Sequence, residues 1–124
     1  MGQIPSIKLN REFSVVYRKG KKYHAHSLIL HVLPRNRQNG LRLGVAVSRT
    51  IRTAVERNRL KRLLREAFRL ESVKLKGGYD IILTAKDMKP PSNFHEIRKD
   101  LRYLLRRSDL YLEADISEGE TDDR

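Results

Sequence analysis

Residues 53–69 read Thr53-Ala54-Val55-Glu56-Arg57-Asn58-Arg59-Leu60-Lys61-Arg62-Leu63-Leu64-Arg65-Glu66-Ala67-Phe68-Arg69, and the period of this stretch decides the fold around it. Thr53 followed three residues on by Glu56 is a capping-box pattern, which predicts a helix starting there. At about 100° per residue, Leu60, Leu63, Leu64, Ala67 and Phe68 gather on one side, and Asn58, Lys61, Arg62, Arg65 and Arg69 on the other. One face is core and the other is a cationic surface. Arg57 lands beside Leu64, so it either snorkels past the apolar edge or is held by a specific partner.

A charged face is ordinarily a solvated face. Here Arg57/Lys61, Lys61/Arg65 and Arg65/Arg69 place like charges at i,i+4, each costing about 0.2–0.5 kcal/mol. Burial of the leucines and Phe68 contributes about 1.5–3 kcal/mol per side chain, so the fold tolerates the repulsion. Arginine predominates, and its planar fork of donors suits bidentate phosphate recognition. The face calls for a polyanion, and nucleic acid is the expected one.

Outward from the helix, the chain of 124 residues has the length of one small domain and contains no cysteine, which excludes disulfides and thiolate metal sites. No apolar run reaches the 18 or so residues that suggest a membrane span. No secretory pattern opens the sequence, so a soluble, cytoplasmic protein is expected. Met1-Gly2-Gln3-Ile4-Pro5-Ser6 matches a short acylation pattern at Gly2, of a kind that arises by chance. The net charge is +12, but residues 113–124 hold six acids against Arg124, leaving the rest with 26 basic and 9 acidic residues, a net +17. That asymmetry fits a nucleic-acid binder with an acidic tail. The expected division is an N-terminal extension (1–8), a nucleic-acid-binding domain (9–112) and a disordered acidic tail (113–124).

The spaced run Leu43-Gly44-Val45-Ala46-Val47-Ser48-Arg49, then Ala54-Val55-x-Arg57-Asn58-Arg59-x-Lys61-Arg62-x-x-Arg65-Glu66-x-Phe68-Arg69, resembles the protein subunit of bacterial ribonuclease P. The resemblance covers about residues 8–111 and makes the domain at 9–112 an RNA-binding α/β domain. It implies an endoribonuclease (a hydrolase) that acts as a ribonucleoprotein: a catalytic RNA subunit with Mg²⁺, held mainly through RNA phosphates, removes the 5′ leader of precursor tRNA. The protein would help bind the leader and screen phosphate repulsion. Carried over, the RNA-binding residues are Arg49, Arg57, Asn58, Arg59, Lys61, Arg62, Arg65 and Arg69. A cleft for the single-stranded leader would be lined by Phe13, Tyr17 and His31, the last standing where the family commonly has an aromatic.

Before the central stretch, Leu9, Phe13, Val16 and Tyr17 recur at helical spacing, predicting a helix over about 10–19 with Asn10 as cap and Gly20 as its end. Periodicity alone makes Phe13 and Tyr17 core aromatics; only the resemblance makes them a cleft rim. Residues 27–33 and 41–48 read as strands joined through a polar loop ending in Asn39-Gly40, and together as an antiparallel hairpin. Leu43, Val45 and Val47 share one strand face; Arg42, Gly44 and Ala46 share the other. Residues 79–85 alternate less, as a strand covered on both faces does. The family commonly has a glycine where Arg52 stands, which implies a tight turn. His24 and His26 have metal-ligand spacing but no third ligand nearby, so exposed polar residues are expected. Asn93 with Glu96 approximates a second capping box, and Ile97, Leu101, Leu104 and Leu105 give the stripe of a last helix to about Arg107.

The order helix, strand, strand, helix, strand, helix is that of a single-domain two-layer α/β sandwich. The resemblance adds a short strand near 22–26, for a mixed four-stranded sheet with three helices (α-β-β-β-α-β-α). It also implies a left-handed crossover through the central helix, against the usual rule. A protein nuclease would gather carboxylates around metal ions, whereas the nine acids of the body are scattered and Glu56 and Glu66 have structural explanations. No catalytic or metal-binding residue is therefore expected in the protein itself, and no DNA or membrane partner. A competing reading is a structural RNA binder such as a small ribosomal protein, which needs no aromatic groove. A helix-turn-helix DNA binder lacks its preceding helix here, and an aromatic-platform RNA domain lacks aromatics on 41–48.

Overall fold

In the computed structural model, which describes residues 4–36 and 40–112, the chain runs α1 (Asn10–Lys19), β1 (Lys21–His24), β2 (Leu28–Pro34), β3 (Arg42–Val47), α2 (Ala54–Ser72), β4 (Tyr79–Ala85) and α3 (Phe94–Arg107). Gly2 of the acylation pattern, Asn39 of the loop and the tail at 113–124 lie outside the described residues.

The helix boundaries follow local chemistry. Thr53 caps α2, its hydroxyl accepting from Glu56 N at 3.2 Å, but Glu56 does not close the box because its carboxylate turns to Arg59. At α3 the box is complete: Asn93 accepts from Glu96 N at 2.9 Å and Glu96 accepts from Asn93 N at 3.2 Å. The cap of α1 is Leu9 rather than Asn10. Leucine has no acceptor to offer, so only the reverse half of a box forms, Leu9 N donating to Glu12 at 3.4 Å.

The strands pair in the order β1-β2-β4-β3. The expected hairpin of β2 with β3 does not form: β4 lies between them, antiparallel to β2 and parallel to β3. The apolar content of β4 explains its place. Asp80, Ile81, Ile82 and Leu83 are all buried, so the strand needs cover on both faces and a neighbour on both sides. The outer edge of β3 is in turn covered by residues 5–7, with Ile7 N donating to Leu43 O and Leu43 N to Pro5 O, each at 3.0 Å.

The pleat divides the sheet into two apolar clusters. Leu28, Leu30, Val32, Leu43, Val47, Ile81, Leu83 and Ala85 face Leu60, Leu64, Ala67 and Phe68 of α2 and Ile97, Leu101, Leu104 and Leu105 of α3. These are the two layers of the sandwich. On the other sheet face, α1 packs through Val16 and Phe13 against Ile82, Leu33 and Ile7. Gly44 permits this approach, since a Cβ there would lie 2.7 Å from Phe13 Cζ. Gly20 turns the chain from α1 into β1 where a Cβ would meet Val16 O at 2.6 Å and Val32 O at 2.8 Å. Arg52 is exposed, and Asp109 is the non-glycine residue with positive φ among the described residues, so the turn at 52 needs no glycine.

Candidate nucleic-acid interface

The cationic face of α2 resolves into two kinds of residue. Asn58, Arg62 and Arg65 are exposed, Lys61 is half-buried, and none has a hydrogen bond or ion pair to another described residue. Arg49, exposed in the connection from β3 to α2, is equally unengaged. Arg57, by contrast, is held by a specific partner: its Nη1 donates to Ser48 O at 3.1 Å and Ile51 O at 2.8 Å, fixing that connection against the first turn of α2. Arg59 grips Glu56 through Nε and Nη2 at 3.0 and 2.9 Å and donates to Ser92 O at 2.8 Å, joining α2 to the start of α3. Arg69 pairs with Glu66 at 2.6 Å on the surface. The pairing holds the carboxyls of Glu56 and Glu66 below the ordinary range.

Thus the expected eight-residue set divides. Arg49, Asn58, Lys61, Arg62 and Arg65 present uncompensated donors to solvent, whereas Arg57 and Arg59 spend several donors on the fold and Arg69 is neutralised by its neighbour. Spacing could not separate these groups, because the acceptors that claim Arg57 and Arg59 are carbonyls brought near by folding.

The cleft residues come together on the opposite sheet face. Tyr17 and His31 meet edge to face with ring centroids 4.8 Å apart, and Phe13 lies 6.2 Å from Tyr17. Tyr17 is 43% exposed, but Phe13 is half-buried against Gly44, so the first belongs to the rim and the second largely to the packing of α1. His31 is only 8% exposed, and its Nδ1 is buried with no partner among the described residues. Burial, with Lys22 and His24 nearby, lowers its pKa and keeps the imidazole neutral near pH 7. Beyond Tyr17 and His31 the strand register sets Ile29, Thr84 and Ala46 side by side on β2, β4 and β3, all half-buried on this face. Together these side chains make a shallow apolar and polar floor with an aromatic rim.

At the other end of the same face lies a charged chain that the sequence did not announce. Arg42 bridges Asp80 at 2.8 Å and Glu12 of α1 at 3.2 Å, and Arg35 reaches Asp80 at 3.3 Å. An aspartate inside the apolar run of 79–85 was the available signal, since a buried carboxylate requires a cation. Hydrogen bonding to Asp80, against the opposing effect of burial, raises the Arg42 pKa, and Arg42 lowers that of Glu12.

Every one of the nine body acids has a structural task. Besides Glu12, Asp80, Glu56 and Glu66, Glu71 serves Arg98, Arg102 and Tyr111; Glu96 caps α3; Asp100 holds Ser27; Asp87 holds Thr50; and Asp109 faces Lys76. Among the described residues no three His, Asp or Glu side chains gather as metal ligands.

The fold and its cations define a small α/β protein built to hold a polyanion, with an unengaged basic face on one side of a mixed sheet and an aromatic-rimmed groove on the other. The family model described as Ribonuclease P matches residues 1–109. The ribonuclease P protein component of Clostridium kluyveri is 40% identical over 107 residues, 85% of this chain and 95% of that protein. That of Shouchella clausii is 38% identical over 102 residues, 82% of this chain and 84% of that protein. The solved structure of the Staphylococcus aureus RNase P protein superposes with a TM-score of 0.75 at 26% identity, covering 89% of this chain and all of that one. The Thermotoga maritima protein does so with 0.72 at 28%, covering 82% and 96%. The chain belongs to the ribonuclease P protein family, whose members are accessory subunits of an endoribonuclease ribonucleoprotein. The competing ribosomal reading has no support among these relatives.

Proposed function

We propose that this chain is the protein component of a cytoplasmic ribonuclease P, joining a catalytic RNA subunit through the α2 face and receiving the 5′ leader of precursor tRNA in the groove beside α1. The observation that carries the reading is the division of the cations: in a body of net +17, Arg49, Lys61, Arg62 and Arg65 stay unengaged, with the Asn58 amide beside them, while all nine carboxylates are engaged within the protein. Unengaged guanidinium groups on one helix face hold phosphate oxygens, and release of RNA counterions drives that binding. On the other face, an unpaired base stacks on Tyr17, with His31 beside it, which holds a strand with little dependence on sequence.

The residues do not fit a metal centre of the protein's own, since each carboxylate is already engaged by a cation, a hydroxyl or a backbone donor. Mg²⁺ belongs on the RNA phosphates, and what this chain supplies is position and charge. Residues 9–112 form the RNA-binding body, 1–8 an extension whose Pro5–Ile7 stretch lies on the edge of β3, and 113–124 an acidic tail.

The test is binding of the full chain to the RNA subunit as salt is raised. With about six to ten phosphates neutralised, affinity falls by about 10³ to 10⁵ between about 50 and 200 mM salt. A nearly flat response would defeat the phosphate-facing assignment.

A further inference from the structure

Away from the α2 face and the α1 groove, the turn between β1 and β2 and the side of α3 enclose an open cavity of about 550 Å³, lined by His24, Ala25, His26, Lys99, Asp100 and Tyr103. Its walls are firmly built. Asp100 Oδ2 accepts from Ser27 N at 2.8 Å and Ser27 Oγ at 2.5 Å, Ala25 N donates to Leu28 O at 2.8 Å, and Lys86 Nζ ties Ala25 O at 2.7 Å. The recognition groups, unlike the walls, are idle. His26 and Lys99 are exposed and have no partner among the described residues, whereas His24 stands opposite Ile29 on the α1 face; Asp100 Oδ1 accepts no hydrogen bond from the described residues. Tyr103 is 44% exposed, with the Arg107 guanidinium 6.0 Å from its ring centroid.

We infer that this cavity is a second binding site for an unpaired RNA nucleotide, separate from the groove beside α1. An exposed aromatic ring flanked by cations is the arrangement that holds single strands by stacking together with phosphate attraction. The base lies against Tyr103, Lys99 and the His26 imidazole meet the phosphate or ribose, and the idle Asp100 oxygen takes a base N–H. A carboxylate on the floor disfavours a purely anionic occupant such as an acidic peptide, whereas a nucleotide carries both donors and a phosphate. The choice of RNA rests on the RNA-binding reading above; the placement rests on the cavity itself.

The experiment is a nuclear magnetic resonance titration of the isotope-labelled full chain with a single-stranded RNA of about ten nucleotides, within the site sizes such modules span. The expected result is movement of the His26, Lys99 and Tyr103 resonances. Tyr103→Ala should weaken that binding at least about fivefold, the lower end of what loss of one stacked base produces, while Tyr103→Phe retains it. Both variants keep the dispersed spectrum of the folded chain, because the ring is largely outside the core. If α1 or α2 resonances move and these three do not, the inference is overturned and the proposed function stands. If no resonance moves anywhere, both are overturned. Equal movement with polyglutamate of the same length would show a bare charge sink and overturn the nucleotide assignment.

Discussion

Glu71 is the most deeply buried carboxylate among the described residues, 1% exposed. Burial pushes its carboxyl up, but hydrogen bonds from Tyr111 OH at 2.7 Å and from the Nε atoms of Arg102 and Arg98 at 3.1 and 3.0 Å outweigh that and hold it below the usual range. Because its folded pKa is depressed, its contribution is present above the unfolded value near 4.5 and lost as pH falls through the lower folded value. Glu71→Gln should therefore cost about 1–3 kcal/mol in urea unfolding at pH 7 and flatten the acid side of the stability profile below about pH 4.5. An unchanged profile would mean the carboxylate is not ionised in the fold. The two rim aromatics separate by the same kind of measurement. Phe13→Ala should lose about 2 kcal/mol of stability, less than a fully buried ring would. Tyr17→Ala should leave stability nearly intact and cost about 1–3 kcal/mol in precursor tRNA affinity of the assembled enzyme, with little change for mature tRNA. Equal losses for both tRNAs would defeat the leader assignment.

At the scale of the element, α2 performs two tasks with one set of arginines. Arg62→Ala should weaken assembly with the RNA subunit and lower the salt slope by about one, with stability unchanged. Arg57→Ala should do the reverse: leaving Ser48 O and Ile51 O without their donor loosens the β3–α2 connection, so unfolding shifts by about 1–2 kcal/mol while the slope stays. A slope change at Arg57 equal to that at Arg62 would erase the distinction. The sequence showed where α2 and α3 begin and which side of each is buried, because caps and a 3.6-residue period are written within a few neighbouring residues. It did not show which arginines remain free: the acceptor of Arg59 is the carbonyl of Ser92, 33 positions away. Strand pairing failed for the same reason. Residues 27–33 and 41–48 looked like a hairpin because only their connection is local. The weak alternation of 79–85 signals cover on both faces, but the sheet order that puts β4 between them depends on pairings distant in sequence. The Glu71 cluster was unreadable too, since Tyr111 lies 40 residues from its acceptor.

Over the whole molecule, the charges of the described residues are sorted: each carboxylate is engaged by a cation, a hydroxyl or a backbone donor, while Arg49, Lys61, Arg62 and Arg65 stay unengaged on the side of the sheet opposite the aromatic-rimmed groove. Such a body suits the accessory subunit of an endoribonuclease ribonucleoprotein, partnered by RNA. Family membership sets the reaction and the accessory role, and the engagement of the nine body acids fits that role. The direct measurement is 5′ cleavage of precursor tRNA at a fixed Mg²⁺ concentration by the protein alone, by the RNA subunit alone and by the two together. The protein alone should leave the precursor intact, and its addition to the RNA subunit should accelerate release of the leader. Efficient cleavage by the RNA-free protein, or no acceleration by the reconstituted pair, would contradict the account.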